Sequence, residues 1–566
     1  MREITNLSSV HHVGVRDLRR WHGLVAAFLI WALCLGNVSA SPTSRAPAPR
    51  TWRLAVPAGA EVVEILSRFA RLRPEWPCEI VPMSDDTAAL ASLRAGSADL
   101  ALYRGILPLA EVEAFPYRQE SLAAVVPFAT PLEAISLVSL RALLQGDAAT
   151  RDALGIAQVV TFDTLPWRLL GLPEPAPQAH PTAAAWLAGA RSGAQLALLP
   201  YEAVRPWVRA LCVEGQHPTD SDYPLRYTHA VLATPDAGST EVAAALAAFL
   251  RAEQSPPVEE ITIAAVGDIM LARDVADSVR RFGASYPFAH AAPILQAADI
   301  AVGNLECVIS MRGEPANKYF VFRAPPETVV ALRRAGLDLV TLANNHILDY
   351  GPVAFYDTLR LLEMMGIRGV GAGRNEQEAL MPVVMRIKGV RLAFLAFARY
   401  PPESIGTFQG TEFVATADQP GIAWAEIETI SAAVAAAKRE VDQVIVALHA
   451  GYEYLYNPSE FQRAAARAAI DAGASLVLGH HSHTWQPIEF YGDGVILYSM
   501  GNFVFDQESS TDTAIATLRL DRHGVRQIEL TPMVIVGYGQ PAPPSADDAR
   551  RILDDIYRLS QQAASH

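Results

Sequence analysis

A chain of 566 residues exceeds what one hydrophobic core usually supports, so two folded domains are expected. With 51% hydrophobic and 19% charged residues it suits a compact folded protein and excludes wholesale disorder. The formal charge of −14 and the lack of a long lysine/arginine stripe exclude nucleic acid as a partner, and any anionic polymer would have to be met by a local basic pocket.

Residues 1–40 read as an export signal. A basic flank at Arg19 and Arg20 precedes an apolar run over residues 24–36, and Val38-Ser39-Ala40 then offers a cleavage point before Ser41. The run is short for a membrane span, which needs roughly 20 residues. Trp31 and Cys34 lengthen it, so an uncleaved anchor stays open as the alternative. Either way the expected location is extracytoplasmic. Outside this segment the cysteines are Cys78, Cys212 and Cys307, too dispersed for a zinc framework. A Cys78–Cys212 disulfide and buried free thiols are both open.

From 51 to 250, short β-like runs ("CEIVPM", "ADLALY", "LAAVVPF", "AQLALLP") alternate with Ala/Leu/Arg-rich helical stretches, which implies βαβ units and a mainly parallel sheet. "LRAGSADLALYRG" followed by "SLAAVVPFATPLEAISLVSLRALLQGD" resembles phosphate-type periplasmic substrate-binding proteins. The resemblance implies a two-lobed domain that holds a small solute where strand ends meet helix N-termini. "PAGAEVVEIL" lacks the hydroxyls of an anion loop, however, so sensing or docking is the alternative to solute binding; Arg104 and Thr130 are candidate cleft residues.

A polar, Pro-containing linker at 251–257 separates this domain from a second at 258–537, where strand-like runs again alternate with helices such as "PSEFQRAAARAAIDAG". Residues 538–566 read as a spacer and a terminal helix that Ser545 would N-cap. In the second domain each apolar run ends in groups with metal-ligand chemistry. These are Asp268, then Asn304 and Glu306, then Asn344, Asn345 and His346, then His449, and finally His480, His481 and His483. The carboxyl ends of strands in an open α/β sheet share one edge, so these endings are expected to converge. Carboxylate, amide oxygen and imidazole suit one or two divalent ions of the Mn²⁺, Zn²⁺ or Fe²⁺ type.

The ordered motifs "GDIMLAR", "GNLE", "KYFVFRAPPE", "LANNHILDYG", "ALHAG", "GHHSHTWQP" and "YSMGNFVFD" closely resemble the poly-γ-glutamate capsule-synthesis (CapA) family, whose domain is similar to calcineurin-type metallophosphoesterases. The fold so implied is α/β throughout: a two-lobed periplasmic-binding-protein-like domain followed by a metallophosphoesterase-like α/β sandwich. The resemblance assigns metal-ligand roles to Asp268, Asn304, Glu306, Asn345, His449, His481 and His483, and a proton-donating role to His346. Two departures from the metallophosphoesterase motifs stand out: Met270 replaces their histidine and Asn304 their bridging aspartate. Glu306 is the residue placed to restore the lost charge; a single ion, or none, is the alternative. His481 and His483 would face one way in extended geometry, with Asn344, His480 and Asn502 behind the ligands. Arg273, Lys318 and Arg323 are candidate cations for a substrate carboxylate or phosphate, with a plain salt bridge as the alternative. Asp349 reads as a helix or turn residue, not a ligand.

The function expected from this set is exported capsule or poly-γ-glutamate biosynthesis by a metal-dependent hydrolase-like enzyme. Its partners would be an anionic envelope polymer or its precursor and other capsule-synthesis membrane proteins. The alternative is a non-catalytic polymer-binding or assembly factor on the same scaffold.

Overall fold

The computed structural model describes residues 50–57, 63–175, 181–190, 194–253, 260–401, 413–507 and 511–563. The export segment 1–40 and most of the 251–257 linker lie outside the described residues. Among the described residues no helix is long and apolar enough to cross a membrane.

The amino-terminal domain is built on β1 (Trp52–Pro57), β2 (Cys78–Met83), β3 (Leu100–Gly105), β4 (Glu113–Pro127), β5 (Gln158–Thr161), β6 (Gln195–Pro200) and β7 (Arg226–Ala233). Their order across the sheet is β2-β1-β3-β7-β4-β6-β5. Strands β1, β2 and β3 are parallel, as are β5 and β6, while β7 and β4 run antiparallel through the middle. Strand β4 is 15 residues long and serves two separate cores. Phe115 packs beside Leu54, Leu100 and Val231, whereas Val125 packs beside Val160, Leu187 and Leu199. Alternate residues of the same strands, such as Ala55 and Ala101 or Ala124 and Leu198, fill a further core on the opposite face of each half. Two lobes result, joined through the β4–β7 pair.

The carboxyl-terminal domain is a sandwich of two sheets. The first contains β8 (Ile261–Ile269), β9 (Ile300–Leu305), β10 (Leu339–Thr341) and β11 (Arg368–Val370), all parallel. The second contains β12 (Val383–Ile387), β13 (Val390–Arg399), β14 (Gln443–Ala450), β15 (Leu476–His480), β16 (Ile488–Tyr491) and β17 (Gly494–Leu497), in the order β12-β13-β14-β15-β17-β16. Strand β18 (Asn502–Val504) pairs with the end of β8, and β19 (Asp512–Asp521), β20 (Gly524–Val536) and β21 (Gln540–Ala542) complete the first sheet. Strand β21 therefore falls in the stretch that reads as a spacer. Ile263 and Val302 of the first sheet share one core with Phe394, Ile445 and Leu476 of the second. The helix Glu460–Asp471, closed by a capping box between Ser459 and Gln462, covers the outer face of the second sheet. The terminal helix Ala546–Ala563 starts where the Ser545 hydroxyl accepts from the Asp548 amide at 3.1 Å.

The two domains meet at the far end of the sandwich from the strand-end histidines. Phe128 packs edge-on against Phe490 and Tyr557, at 5.2 and 5.3 Å between ring centres, and the Tyr201 hydroxyl donates to Glu260 at 3.3 Å. Glu260 precedes β8 and Asp268 lies near its other end, so at about 3.3 Å per residue the interface and the strand-end cluster are roughly 26 Å apart. The three described cysteines are free thiols, so the Cys78–Cys212 pairing does not form.

Candidate metal centre

The parallel strands bring the expected residues to one edge. Asp268 lies opposite Asn304 on one side and Asn502 on the other, Asn304 lies opposite Thr341, and His449 lies opposite His480. Gly267 and Gly479 permit this closeness: a Cβ on either would sit about 2 Å from a carbonyl oxygen, of Gly501 and Tyr498 respectively. Asp268, Glu306, His449, His481 and His483 are all buried. Glu306, His449 and His481 place one ligating atom each within 4.8 Å of one another, and Asp268, Glu306 and His483 do the same. Either set could hold an ion, and Glu306 is the residue common to both.

Asn304 behaves differently from the expectation. The His346 backbone amide donates to Asn344 Oδ1 at 3.0 Å, which fixes the orientation of that side chain. Asn344 Nδ2 therefore donates to Asn304 Oδ1 at 3.0 Å, and the Thr341 hydroxyl donates to the same oxygen, also at 3.0 Å. Asn304 is left to turn its NH₂ group toward the cluster, where it donates to Asp268 Oδ1 at 2.9 Å. Its ligating oxygen faces away, so Asn304 positions Asp268 instead of acting as a ligand. Asn345 presents its Oδ1 2.9 Å from His449 Nε2.

The histidine run departs from extended geometry. Strand β15 stops at His480, and His481 and His483 have φ of +91° and +57°. Both are thus in the left-handed region that side chains with a Cβ disfavour, a strain found mainly where function demands it. His480 Nδ1 lies 3.1 Å from Asp268 Oδ1. His483 Nδ1 lies 2.8 Å from Asn502 Oδ1 and 3.6 Å from Asp268 Oδ2. Neither ring nitrogen of His481 has a hydrogen-bond partner.

That last observation tests whether a cation fits. Nine buried side-chain polar atoms among the described residues lack a partner, and four of them are the carboxylate oxygens of Glu306 and the ring nitrogens of His481. A buried carboxylate without a donor is costly unless a cation meets it. Burial first, then the charge of Asp268, raises the Glu306 carboxyl well above its ordinary range. Burial, then neighbouring His483, pushes the His481 imidazole down to about 3, and burial followed by His481 holds His449 well below its ordinary value. Neutral imidazoles and a carboxylate short of positive charge are what a divalent ion requires.

His346 sits beside this set in a hydrogen-bonded group of its own. Its Nδ1 lies 2.6 Å from Asp349 Oδ2, and the Asp349 carboxylate also accepts from Lys318 Nζ and the Phe322 amide, each at 2.7 Å. Phe322 stacks on the imidazole at 4.2 Å, and Nε2 lies 4.0 Å from Glu306 Oε1. Burial outweighs the pull of Asp349 and holds the ring down at about 4. Asp349 is a turn residue, as expected, yet its carboxylate orients His346; the three-residue spacing within one turn was the available signal. Lys318, wholly buried against Asp349, is not an open substrate cation. Arg323 is not either: it donates to the carbonyls of Arg312 and Gly313 and lies 4.1 Å over the Tyr350 ring. Arg273 pairs with Asp506, spans Phe322 at 4.8 Å and keeps its side chain 39% exposed at the rim.

Residues 262–507 match the family described as "Bacterial capsule synthesis protein PGA_cap". The chain is 35% identical over 317 residues to "Capsule biosynthesis protein CapA" of Bacillus anthracis, covering 54% of this chain and 75% of that one. It is 34% identical over 291 residues to "PGA biosynthesis protein CapA" of Bacillus subtilis, covering 50% of this chain and 74% of that one. Among solved structures, an ABC-type phosphate transport receptor from Vibrio cholerae is similar at 19% identity and a TM-score of 0.30, over 35% of this chain and 94% of that one.

Proposed function

The chain belongs to the bacterial capsule synthesis family PGA_cap, and from that premise we propose that it is an exported capsule or poly-γ-glutamate biosynthesis protein whose second domain is a metal-dependent hydrolase-like enzyme. The observation that carries this reading is Glu306, buried, without a hydrogen-bond partner and shared by two ligand sets. The residues that would hold Mn²⁺, Zn²⁺ or Fe²⁺ are Asp268, Glu306, Asn345, His449, His481 and His483. Bound there, such an ion would supply Lewis-acid stabilisation of charge on a substrate oxygen and lower the pKa of a water.

The chain's own residues do the rest. Asp349 accepts at Nδ1 of His346 and leaves Nε2 facing the cluster, the atom at which a proton is taken and passed to the leaving group. Lys318 donates to Asp349 at 2.7 Å and holds that carboxylate in place beside His346. Phe322 and Phe505 wall the site with apolar surface, and Arg273 at the rim offers a guanidinium to an anionic group of the polymer. The proposed partners are an anionic envelope polymer or its precursor and other capsule-synthesis membrane proteins.

A second reading is favoured by two residues. Asn304 offers a donor where a bridging carboxylate would stand, and the Met270 thioether is taken up by the Ala272 amide at 3.1 Å. With fewer anionic ligands, the same site would grip polymer ends without turnover. Hydrolysis of a generic phosphodiester and of a γ-linked glutamyl peptide, with and without added Mn²⁺ or Zn²⁺, separates the two. Metal-dependent turnover that H481A/H483A abolishes supports the enzyme; polymer binding with no turnover at any added ion leaves the binding factor.

A further inference from the structure

The second buried polar cluster of the molecule lies in the amino-terminal domain, between its lobes. The helix Asp86–Arg94 begins just after β2, Arg104 stands at the end of β3, and Asp163 with the helix Leu165–Leu169 follows β5. All sit at carboxyl ends of parallel strands, where open α/β sheets receive ligands. Ala89 and Leu93 of the first helix belong to one lobe's core, Leu165 of the second to the other's.

Asp86 is 1% exposed and is clasped from both sides. From its own lobe, Arg104 donates to it through the backbone amide at 2.8 Å and through Nη2 at 2.9 Å. From the other lobe, Arg168 Nη2 donates at 2.9 Å. Two more bridges follow the same seam: Arg104 to Asp163 at 3.1 Å and the Thr87 hydroxyl to Glu174 at 2.8 Å. The helix end is closed as well, because Asp85 accepts from the Ala88 amide at 2.7 Å. Two guanidinium groups thus face three of the chain's own carboxylates, Asp86, Asp163 and Glu174, and no positive charge is left over for a solute anion.

We propose that Asp86 is a built-in occupant of this cleft: its carboxylate takes the place of a solute anion between the lobes and latches the domain shut without ligand. The amino-terminal domain is then a fixed scaffold against which the second domain is mounted, with no solute-gated opening. Thr130, the other candidate cleft residue, lies away from the seam and gives its carbonyl to Arg209 at 2.7 Å. Arg168 Nε and Nη1 are buried without partners, so an added anion has donors to find once Asp86 is removed.

Hydrogen exchange of residues 86–94 and 165–169 in the full chain tests the latch, for the wild type, D86A and the milder D86N. Each is measured in chloride and in sodium formate or phosphate of matched ionic strength. The wild type should show no saturable response to either anion. D86A should exchange at least tenfold faster in both helices and recover with formate or phosphate, and D86N should lie between. A saturable stabilisation of the wild type by either anion would make the cleft a solute receptor and overturn the proposal. So would unchanged exchange in both variants, or a loosened D86A that neither anion restores.

Discussion

Two of the buried polar clusters among the described residues differ in what they leave unsatisfied. Around Asp86 the guanidinium groups of both lobes meet carboxylates of the same chain, and the carboxylate that stands at the centre has every oxygen occupied. At the strand ends of the second domain, Glu306 has no donor for either oxygen and His481 has no partner for either nitrogen. The central carboxylates Asp86 and Glu306 are about equally buried, although Arg104 and Asp163 around the first keep side chains 28% and 37% exposed, so burial of the carboxylate itself does not distinguish them. The difference is the missing positive charge in the second, and a cluster in that condition calls for an external cation. The first domain holds its own counter-charge; the second has buried groups that could hold a metal ion.

The largest effect should come from emptying the second cluster. H481A/H483A should lower divalent-ion affinity beyond the roughly 10–100-fold loss that follows removal of a ligand's hydrogen-bond partner, as read by calorimetric titration. The amino-terminal unfolding transition should not move.

Acid should act next, at Glu120, a half-buried carboxyl of β4 in the amino-terminal domain that belongs to neither cluster. Burial works to raise the Glu120 carboxyl, but hydrogen bonds from His229 and Tyr227 together with Arg118 overcome it and hold it at about 2. Since the folded value lies below the unfolded one, this stabilisation is present above about pH 4.5 and is lost as pH falls toward 2. Its size is on the order of 3 kcal/mol. E120Q should flatten that acid limb for the amino-terminal domain, which pH-dependent denaturant unfolding can follow.

The smallest effect has the most telling sign. E306Q replaces a carboxyl that burial and Asp268 raise well above its ordinary range, a shift that costs stability above the unfolded value near 4.5, so the metal-free protein should become more stable, by roughly 1–3 kcal/mol, while losing metal affinity. Destabilisation of the metal-free form would mean that Glu306 has a partner within the chain.

The convergence was legible in the sequence because parallel strands leave their ends on one edge, and Asp268, Glu306, His449 and the histidine run each follow an apolar run directly. The terminal helix and its Ser545 cap were legible for the same local reason. Orientation was not. The left-handed φ of His481 and His483 comes from the chain turning as β15 ends, which a residue-alternation argument assumes away. The turned amide of Asn304 depends on a relay through Asn344 to the His346 amide, three segments that only the fold brings together. Lys318 and Arg323 read as exposed cations because composition says nothing of Asp349 or Tyr350 waiting beside them. The latch at Asp86 joins residues 82 positions apart, and no local pattern announces it.

The central claim is that Glu306 and the histidines around it are shaped for a divalent ion. Elemental analysis of the purified full chain, after exposure to Mn²⁺, Zn²⁺ or Fe²⁺ and exhaustive dialysis, tests it most directly. The account predicts that the wild type retains at least one such ion per chain and that E306Q and H481A/H483A retain none. A wild type that emerges free of metal under every one of these conditions, still folded, would contradict it.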